Sequence, residues 1–401
     1  MSRRPPPPPP RPIETLQCRH FGECGGCSLL DQPIAWQVQN KVTACETLLA
    51  PFLNGKKIEF PEPDWTPRNF RTRLLYPVRS DRDGLPIVGI YGFRSHHLVR
   101  IEECRTQDVW LTEFGRAVEQ VLRTLKLQAY YAESGRGYVK AIWARLASGT
   151  GQVLAGIVTR PGTFPQGQEF AESLQKAAAG LPAGRKARTL VGVVHSISER
   201  DDEFLLGERH VPLRGTNYVT DRRDELTFRI SAGSFYQVHG EAGELLYKPA
   251  LRMCGDMRGK NVVDGYGGVG TFGLRLAKAG AATVTIVEDN AAACRDAEHN
   301  AKTNNLAKVT VLREPFATSK FPNGPDLLVV DPPRSGLQPQ GVERALLAKP
   351  KRILHVACAA ESLASDLSGL TAHGYRVSAI RLCDMFPHTD HVELVTMLER
   401  S

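Results

Sequence analysis

The chain has 401 residues, which is too long for one ordinary hydrophobic core, so two or three domains are expected. Its apolar content of 42% and charged content of 23% are typical of a soluble globular protein, and no apolar run approaches the roughly 18 residues of a membrane-spanning helix. The net charge of +8 favours an anionic partner such as nucleic acid.

The first segment, MSRRPPPPPPRPIE, is predicted to be a disordered, basic arm over residues 1–14, because six consecutive prolines cannot join a packed core. It lacks the apolar stretch of a signal peptide, so we expect a cytoplasmic protein. In that compartment structural disulfides are rare, and clustered cysteines tend to bind metal or to catalyse. Three of the nine cysteines lie within the stretch CRHFGECGGC at residues 18–27, which makes a metal site a natural expectation there.

An arginine-rich stretch follows these cysteines, within a first region predicted over residues 15–105. Residues 68–100 contain seven arginines and only two acids, and four aromatic residues lie among them: Phe70, Tyr76, Tyr91 and Phe93. Because arginines contact phosphates and aromatic rings stack on bases, this pattern is typical of a surface that holds RNA. A solvated basic surface over core aromatics is the alternative interpretation.

The rest of the chain divides into two further regions. Residues 106–225 are predicted to form a mixed α+β domain, with strands such as YVKAIWARL and QVLAGIVTR. Residues 226–401 alternate helical patterns with apolar strand runs, which are KNVVDG, ATVTIVE, DLLVVD, RILHVAC and VELVTMLER. Such alternation predicts an α/β, doubly wound, Rossmann-like parallel sheet, whose ligands lie beyond the carboxyl ends of the strands.

A glycine-rich turn marks a nucleotide site near the start of the last region. Gly268, Gly270 and Gly273 fit the pattern G-x-G-x-x-G between a strand and a helix, and Glu288 lies 20 residues after Gly268. Glycines let the backbone approach a ligand and an acid at this spacing holds ribose hydroxyls, so the pattern alone fits NAD as readily as another adenosine cofactor. The stiff loop Asp-Pro-Pro-Arg at residues 331–334 favours a methyltransferase, which must hold a planar base over the same crevice.

Two segments near the C-terminus carry candidate catalytic residues. Cys358 follows the strand RILHVA and precedes the helical pattern AESLASDLSGL, and a helix N-terminus is expected to lower the pKa of the thiol. The segment DMFPHTDHVE at residues 384–393 ends in Glu393, a candidate general base. His388 and His391 invite a metal interpretation, but this spacing on a loop indicates a metal only weakly, and structural capping is the alternative.

Taken together, the motifs resemble one known family, the RNA 5-methyluridine methyltransferases. SFYQVHGEAGELLY at residues 234–247, DGYGGVGTF, DPPRSG, the Cys358 segment and DMFPHTDHVE occur in the family's order. The resemblance covers nearly the whole chain after the proline-rich arm, and five ordered motifs are far more specific than any single one. It implies a methyl transfer from S-adenosylmethionine to carbon 5 of a uridine in RNA.

The resemblance extends to the cysteines, because Cys18, Cys24, Cys27 and the distant Cys104 look like the family's four ligands of a [4Fe–4S] cluster. Their spacing alone would fit a zinc site with four cysteine ligands equally well. Only 17 residues precede Cys18, so we expect no accessory TRAM domain, and the chain then looks most like the shorter 23S ribosomal RNA enzymes. Transfer RNA is the alternative substrate, and neither a membrane nor an obligate protein partner is expected.

The resemblance also assigns roles to single residues. Those that would contact S-adenosylmethionine are Gln237, Tyr266, Glu288 and Asp331. Carbon 5 of uracil is a poor nucleophile, so Cys358 would add to carbon 6 and create an enolate that attacks the methyl group. Glu393 would then remove the proton from carbon 5, and elimination would free Cys358. The target uridine would have to leave its helical stack to reach these groups.

Two segments depart from the family's pattern. The family usually has Asp-Leu-Tyr-Cys-Gly where this chain has DGYGG at residues 264–268, and Ser-Cys-Asn-Pro where it has ACAA at residues 357–360. The lost Asn and Pro bear on how firmly Cys358 and the uracil are held. The Gly and Ala replacements in the two segments motivate a second hypothesis, an RNA-binding protein whose methyltransferase domain is inactive, and a cytosine carbon-5 methyltransferase is a third.

Overall fold

The structure is a computed structural model, and it describes residues 14–61, 66–182, 187–200 and 206–401. The proline-rich arm predicted over residues 1–14 lies outside these ranges except for its last residue. The α-helices are α1 Ile34–Leu53, α2 Val109–Thr124, α3 Gly167–Ala179, α4 Lys248–Cys254, α5 Thr271–Lys278, α6 Ala291–Thr303, α7 Gln338–Ala348 and α8 Ala360–Thr371. A π-helical turn, Gly243–Tyr247, and a 3₁₀ turn, Phe316–Thr318, accompany them.

The strands belong to two large sheets and one hairpin. The first sheet contains β1 Arg73–Ser80, β2 Pro86–Tyr91, β3 Leu98–Arg100, β4 Val139–Leu146, β5 Gln152–Thr159, β6 Thr189–Ile197 and β7 Arg209–Gly215. The hairpin is β8 Tyr218–Arg223 and β9 Leu226–Ser231. The second sheet contains β10 Asn261–Gly265, β11 Thr283–Glu288, β12 Val309–Arg313, β13 Leu327–Val330, β14 Arg352–Ala357, β15 Tyr375–Leu382 and β16 Leu394–Arg400.

The first sheet has the order β3-β2-β1-β4-β5-β6-β7, and its pairs are antiparallel except for β5 with β6. Helix α2 covers one face because its apolar residues recur every three or four positions, and Leu111, Phe114 and Val118 are buried in that core. Asp108 caps the helix, since its carboxylate accepts hydrogen bonds from two backbone N–H groups of the first turn. Strands from before and after residue 105 join this one sheet, so the predicted regions 15–105 and 106–225 share it.

The second sheet confirms the predicted α/β Rossmann-like fold, with the order β12-β11-β10-β13-β14-β16-β15. Neighbours from β12 to β14 are parallel, and β13 is buried on both faces because Leu327 and Val329 enter one core while Leu328 and Val330 enter the other. The prediction of a wholly parallel sheet is wrong at its end, where β16 pairs antiparallel with both β14 and β15. The chain turns back after β15 through a loop without a crossover helix, and a parallel pair would require such a crossover.

The first sheet and helix α1 both pack against the second sheet. Trp143 and Leu154 of the first sheet share one apolar core with Phe228 of the hairpin and Ile286 of β11. Helix α1 packs its apolar side on the other face of the second sheet, where Val42 and Leu49 lie in the same core as Leu367 of α8. Within the described ranges, no helix is both long enough and apolar enough to span a bilayer.

Candidate active site

The carboxyl ends of four neighbouring parallel strands bring predicted site residues together at one edge of the second sheet. The strands β11, β10, β13 and β14 lie side by side in register. Each carries a predicted residue as its last residue or directly after it, and these are Glu288, Tyr266, Asp331 and Cys358. The topology therefore places these four residues along a single crevice.

The glycine turn and Glu288 form one end of the crevice. Gly268 and Gly270 have positive φ angles of 56° and 88°, which glycine adopts without strain. The backbone N–H of Gly268 donates to Oε2 of Glu288 at 2.9 Å, and the N–H of Asn290 donates to Oε1 at 2.8 Å. These bonds fix the carboxylate beside the turn, while burial raises its pKa above the ordinary value. An acceptor fixed in this way is suited to the hydroxyl groups of a ribose.

Tyr266 and Asp264 flank the turn, and the sequence analysis gave no role to Asp264. Tyr266 has a φ of 60°, which is unusual for a residue with a side chain, and its ring packs 5.0 Å from that of Phe316. Asp264 is fully buried and accepts a hydrogen bond of 2.7 Å from the N–H of Gly273. Burial raises the pKa of Asp264 to about 7, and the charges of Asp331 and Glu288 add to this rise.

Cys358 and Glu393 face each other because of the strand register. In the antiparallel pair of β14 and β16, Ala357 is the partner of Leu394. Cys358 is the next residue after Ala357 and Glu393 is the residue before Leu394, so the two side chains leave opposite strands at the same level. Glu393 is only 2% exposed, and Cys358 is half-buried. A thiol and a buried carboxyl group are thus juxtaposed at the crevice that also holds Asp331.

Cys358, Glu393 and Asp331 interact electrostatically, and each of the three has a raised pKa. The pKa of Glu393 lies well above the ordinary value because the carboxyl group is buried, and Asp331 raises it further. Burial also raises the pKa of Asp331 to about 7. The pKa of the Cys358 thiol is raised by burial, then by the charges of Glu393 and Asp331, and it is lowered in part by Arg334. The expectation of a lowered thiol pKa is therefore wrong in its net direction, because burial and the two carboxylates raise this pKa more than Arg334 lowers it.

The chain segment that leads to Gln237 is held by hydrogen bonds away from the crevice. The preceding segment is anchored by the buried Asp296, whose carboxylate accepts hydrogen bonds from the hydroxyl groups of Ser231 and Ser234, each at 2.7 Å. Arg145 of β4 donates to the carbonyl oxygen of Ser231 at 2.7 Å, so helix α6 and the first sheet both fix this segment. In the described part of the chain, no hydrogen bond joins the buried Gln237 side chain to Tyr266, Glu288 or Asp331. Its contact with a ligand stays a prediction.

The motif loop, residues 384–393, is locked to the N-terminal part of the chain through His388. The Nε2 atom of His388 lies 2.7 Å from the carbonyl oxygen of Pro67, and Nδ1 lies 3.2 Å from Nε2 of Gln37. The carbonyl oxygen of His388 accepts the backbone N–H groups of Ser28 and Leu29 at 3.1 and 3.0 Å. Both ring nitrogens of the buried His388 are engaged in these contacts, so its ring has a structural role.

A buried ion pair adds a second link to the motif loop. The Lys41 side chain on α1 is 3% exposed, and its ammonium group donates to Asp384 at 2.7 Å and to the carbonyl oxygen of Phe386 at 3.0 Å. Sequence patterns gave no signal for this contact, because its partners are separated by 343 residues. It ties helix α1 to the loop that delivers Glu393.

We expect the substitution Lys41→Met to lower the free energy of unfolding by about 3 kcal/mol, because it leaves the carboxylate of Asp384, only 12% exposed, without its partner. Urea denaturation of both proteins measures the change. The matched control is Lys57→Met, which removes an ion pair whose lysine side chain is 85% exposed and should cost less than about 1 kcal/mol. Equal losses in the two variants would contradict the structural role of Lys41.

The four predicted metal-binding cysteines lie around one cavity. Cys18, Cys24, Cys27 and Cys104 line about 490 Å³ of space, part of it open to solvent. Backbone N–H groups of Gly26 and Gln107 point at the sulfur atoms of Cys24 and Cys104, both at 3.3 Å. Burial, followed by the charge of Cys104, raises the pKa of Cys27 to about 12. Among the described residues, no group of three or more Cys, His, Asp or Glu side chains is arranged to hold a metal ion.

The predicted RNA-contacting aromatics differ in their exposure. Phe93, at the turn between β2 and β3, is 56% exposed. Tyr76 is buried, and its hydroxyl group accepts a hydrogen bond of 3.0 Å from Gln107. Tyr76 therefore belongs to the core, as the alternative interpretation of that stretch proposed, whereas Phe93 is accessible to a ligand.

Comparisons with known proteins agree with this geometry. Residues 324–401 match the family model described as tRNA (Uracil-5-)-methyltransferase, and residues 225–357 match a methyltransferase small domain. An RNA methyltransferase of Caldanaerobacter subterraneus subsp. tengcongensis is 31% identical over 397 residues, with 96% of this chain and 84% of that protein covered. One from Halalkalibacterium halodurans is 31% identical over 395 residues, with 95% and 82% covered.

A solved structure extends the similarity to the three-dimensional level. The tRNA (uracil-54, C5)-methyltransferase of Pyrococcus abyssi, in complex with S-adenosyl-L-homocysteine, superimposes with a TM-score of 0.73 at 27% sequence identity. The match covers 94% of this chain and 84% of that one, so it includes both sheets. The strand-edge crevice, the paired Cys358 and Glu393 and these relatives lead to one assignment: the chain belongs to the family of RNA (uracil-5) methyltransferases.

Proposed function

We propose that this protein transfers a methyl group from S-adenosylmethionine to carbon 5 of a uridine in RNA, through a covalent bond between Cys358 and the uracil ring. The observation that carries the proposal is the register of β14 and β16, which sets Cys358 opposite Glu393 beside Asp331. A hydride transferase would have no use for a thiol and a buried base at this position.

In this reaction some residues of the crevice bind the methyl donor and others react with the uracil. Tyr266 and Glu288 hold the adenosine part of the donor, and Asp331 and Gln237 complete its site. The Cys358 thiolate forms a bond to carbon 6, which turns the ring into an enolate whose carbon 5 displaces the methyl group from the sulfonium. The donor leaves as a neutral thioether. The Glu393 carboxylate then takes the proton of carbon 5, and the bond between carbon 6 and sulfur breaks to restore Cys358.

The domains follow from the same proposal. Residues 226–401 bind the methyl donor and carry out the chemistry, and residues 15–105 and 106–225 contact the RNA. The net charge of +8 and the exposed Phe93 support this division. For the RNA itself, the sequence resemblance supports 23S ribosomal RNA, and the likeness to the Pyrococcus abyssi tRNA enzyme supports transfer RNA.

We also propose that Cys18, Cys24, Cys27 and Cys104 hold a [4Fe–4S] cluster with a structural role. Four cysteines around one largely apolar cavity, with backbone N–H groups aimed at two sulfurs, suit a cluster of thiolate-bound iron. The spacing of the four cysteines fits zinc as well, and the resemblance of the sequence to the family favours iron–sulfur. Anaerobic purification followed by iron, sulfide and zinc assays tests this; stoichiometric zinc would overturn it.

Methyl transfer from labelled S-adenosylmethionine to unmodified ribosomal and transfer RNA, followed by nucleoside digestion, tests the proposed function. Label in 5-methyluridine from either RNA establishes the reaction and its substrate class together. Label in 5-methylcytidine would establish the cytosine alternative. RNA that binds but takes up no label would instead support an inactive methyltransferase domain.

The carboxyl groups of the crevice predict how donor and product affinities depend on pH. Burial raises the pKa values of Asp331 and Asp264 to about 7, so both become charged as the pH rises from 5.5 to 7.5. Negative charge attracts the sulfonium of S-adenosylmethionine and not the neutral sulfur of S-adenosylhomocysteine. We expect the affinity ratio of donor to product to rise about tenfold over this interval.

Isothermal titration calorimetry with both ligands at several pH values measures this ratio. The variant Asp331→Asn serves as the control, because it removes one of the charges without changing the side-chain volume. A ratio in the wild-type protein that is independent of pH would contradict the ionisation of these carboxyl groups.

A further inference from the structure

A groove beside the proposed active site is not used by the chemistry described above. We call it the interloop groove, because it lies between the cysteine loop, residues 18–29, and the motif loop. It encloses about 1420 Å³, including space that is open to solvent. Aromatic rings from three separate segments line it, namely Phe70, Phe93 and Phe386.

The wall on the cysteine side presents Phe93 in a fixed position. The N–H of Phe93 donates to the carbonyl oxygen of Glu23 at 3.2 Å, and the N–H of Gly25 donates to that of Tyr91 at 3.0 Å. The guanidinium of Arg94 lies 5.1 Å from the centre of the Phe93 ring. A ring that is 56% exposed, on a backbone anchored in this way, offers a stacking surface at little entropic cost.

The floor and the opposite wall are also preformed. Phe70 stacks on His239 with ring centres 4.5 Å apart, and Phe386 meets the ring of His391 at 5.9 Å. Arg71 lines the floor, and its buried Nε has no hydrogen-bond partner among the described residues. Asp390 also faces the groove, so the groove offers both a cation and an acceptor.

The groove lies close to the proposed catalytic crevice along the chain, but other residues line it. Val238, which lines the groove, is the neighbour of Gln237, and His391 lies two residues before Glu393. Cys358, Asp331 and Glu393 are not among the lining residues, so the groove is not the place of the reacting uracil. A ligand that places one planar group in the crevice and a second one against the aromatic rings of the groove must be a chain that carries at least two planar groups.

We propose that the interloop groove binds the base of a second RNA nucleotide, close in sequence to the target uridine and also outside the helical stack. This rests on the proposed function. Single-stranded bases stack on aromatic side chains, an arginine holds the accompanying phosphate, and a carboxylate such as Asp390 accepts hydrogen bonds from amino or imino groups of a base. Holding two extruded bases would make recognition depend on a nucleotide that is not modified.

The groove also connects RNA recognition to the cysteine site. Six residues line both the interloop groove and the cavity of the four cysteines: Gly26, Cys27, Arg71, Ile90, Thr106 and Gln107. A group bound by the cysteines would therefore hold one wall of the groove in place.

The test uses a short RNA hairpin that contains the methylated uridine, with single abasic nucleotides placed in turn at each flanking position. Both the equilibrium affinity, from fluorescence anisotropy, and the kcat and KM of methyl transfer are measured. For the wild-type protein we expect one flanking position at which loss of the base weakens binding and raises KM about 10- to 100-fold, with kcat nearly unchanged. In Phe93→Ala the same abasic substitution should cost less than threefold, because the stacking partner is already absent.

Trp36→Ala is the matched control, since Trp36 is an exposed aromatic residue that does not line the groove, and it should leave the abasic penalty unchanged. An abasic penalty of equal size in the wild-type protein and in Phe93→Ala would overturn the proposal, as would the absence of any sensitive flanking position. The affinity measurement separates this proposal from the proposed function, because it reads the groove even in an RNA that takes up no methyl group. If neither RNA is methylated, the affinity measurement is made with hairpins from both RNAs.

Discussion

Cys358→Ala is expected to reduce methyl transfer by about 10³-fold or more while RNA and S-adenosylmethionine still bind. Without the thiol, carbon 5 of uracil stays a poor nucleophile and no other step of the reaction begins. Cys358 is half-buried at the end of β14, so removing its sulfur atom leaves the fold intact. Initial rates of label incorporation into RNA, with affinities from anisotropy and calorimetry, measure both parts of this expectation.

The control for this experiment is Cys254→Ala, which removes a buried thiol at the end of α4 and should leave the rate within about threefold. A Cys358→Ala protein that retains a tenth of the wild-type rate would exclude a covalent mechanism. A wild-type protein that is itself inactive would instead support the RNA-binding hypothesis.

The pH dependence of Cys358 alkylation gives a second readout that needs no RNA. Burial and the charges of Glu393 and Asp331 raise the thiol pKa, so alkylation by iodoacetamide should be slow at neutral pH and accelerate as the pH rises. Arg334 lowers this pKa, and Arg334→Gln should therefore move the alkylation profile to higher pH.

The carboxyl-edge crevice could be predicted from the sequence because its signals are local. Short apolar runs such as LLVV, each followed by a polar residue, predict buried strands that end at one edge, and the structure has β13 and β14 where these runs lie. The placement of Glu288, Asp331 and Cys358 along that edge follows from parallel topology alone.

The pairing of Cys358 with Glu393 could not be predicted in the same way. It depends on β16 entering the sheet antiparallel between β14 and β15, and residues 35 positions apart then meet through backbone pairing. The prediction that the pKa of Cys358 is lowered was wrong for a related reason. Helix starts are visible in a sequence, whereas burial and the approach of two carboxylates are not.

The departures from the family's pattern have physical explanations. A Cβ atom at Gly265 would lie 2.6 Å from the ring of Phe316, and one at Gly267 would lie 2.6 Å from the side chain of Ile286. The side chains of Phe316 and Ile286 therefore occupy the space that the usual Leu and Cys would need. The loss of Asn and Pro in the second segment affects the start of a helix. Ala359 is the N-cap of α8, and its side chain makes no capping hydrogen bond. Asn followed by Pro is preferred there, so the substitution costs about 1 kcal/mol of helix stability and removes no reacting group.

The second large effect is expected from Glu393→Gln, which should slow turnover by about 10² to 10⁴-fold and trap the RNA on the protein. The amide has the volume of the carboxylate but cannot take the proton from carbon 5. The steps before this proton transfer stay available, and they become easier, because Glu393 raises the pKa of Cys358 and the amide does not. The methylated uracil should therefore accumulate as an adduct with Cys358.

Denaturing electrophoresis with labelled RNA and with labelled methyl donor detects this adduct as a band that carries both labels. The double variant Cys358→Ala, Glu393→Gln should give no band, and Glu399→Gln, at the exposed far end of β16, should turn over like the wild-type protein. A Glu393→Gln protein that binds RNA and donor but forms no adduct would show that Glu393 acts before the Cys358 bond is made. Because Gln carries no charge that raises the pKa of Cys358, alkylation of Cys358 in this variant should shift to lower pH, and this shift separates loss of the base from loss of the fold.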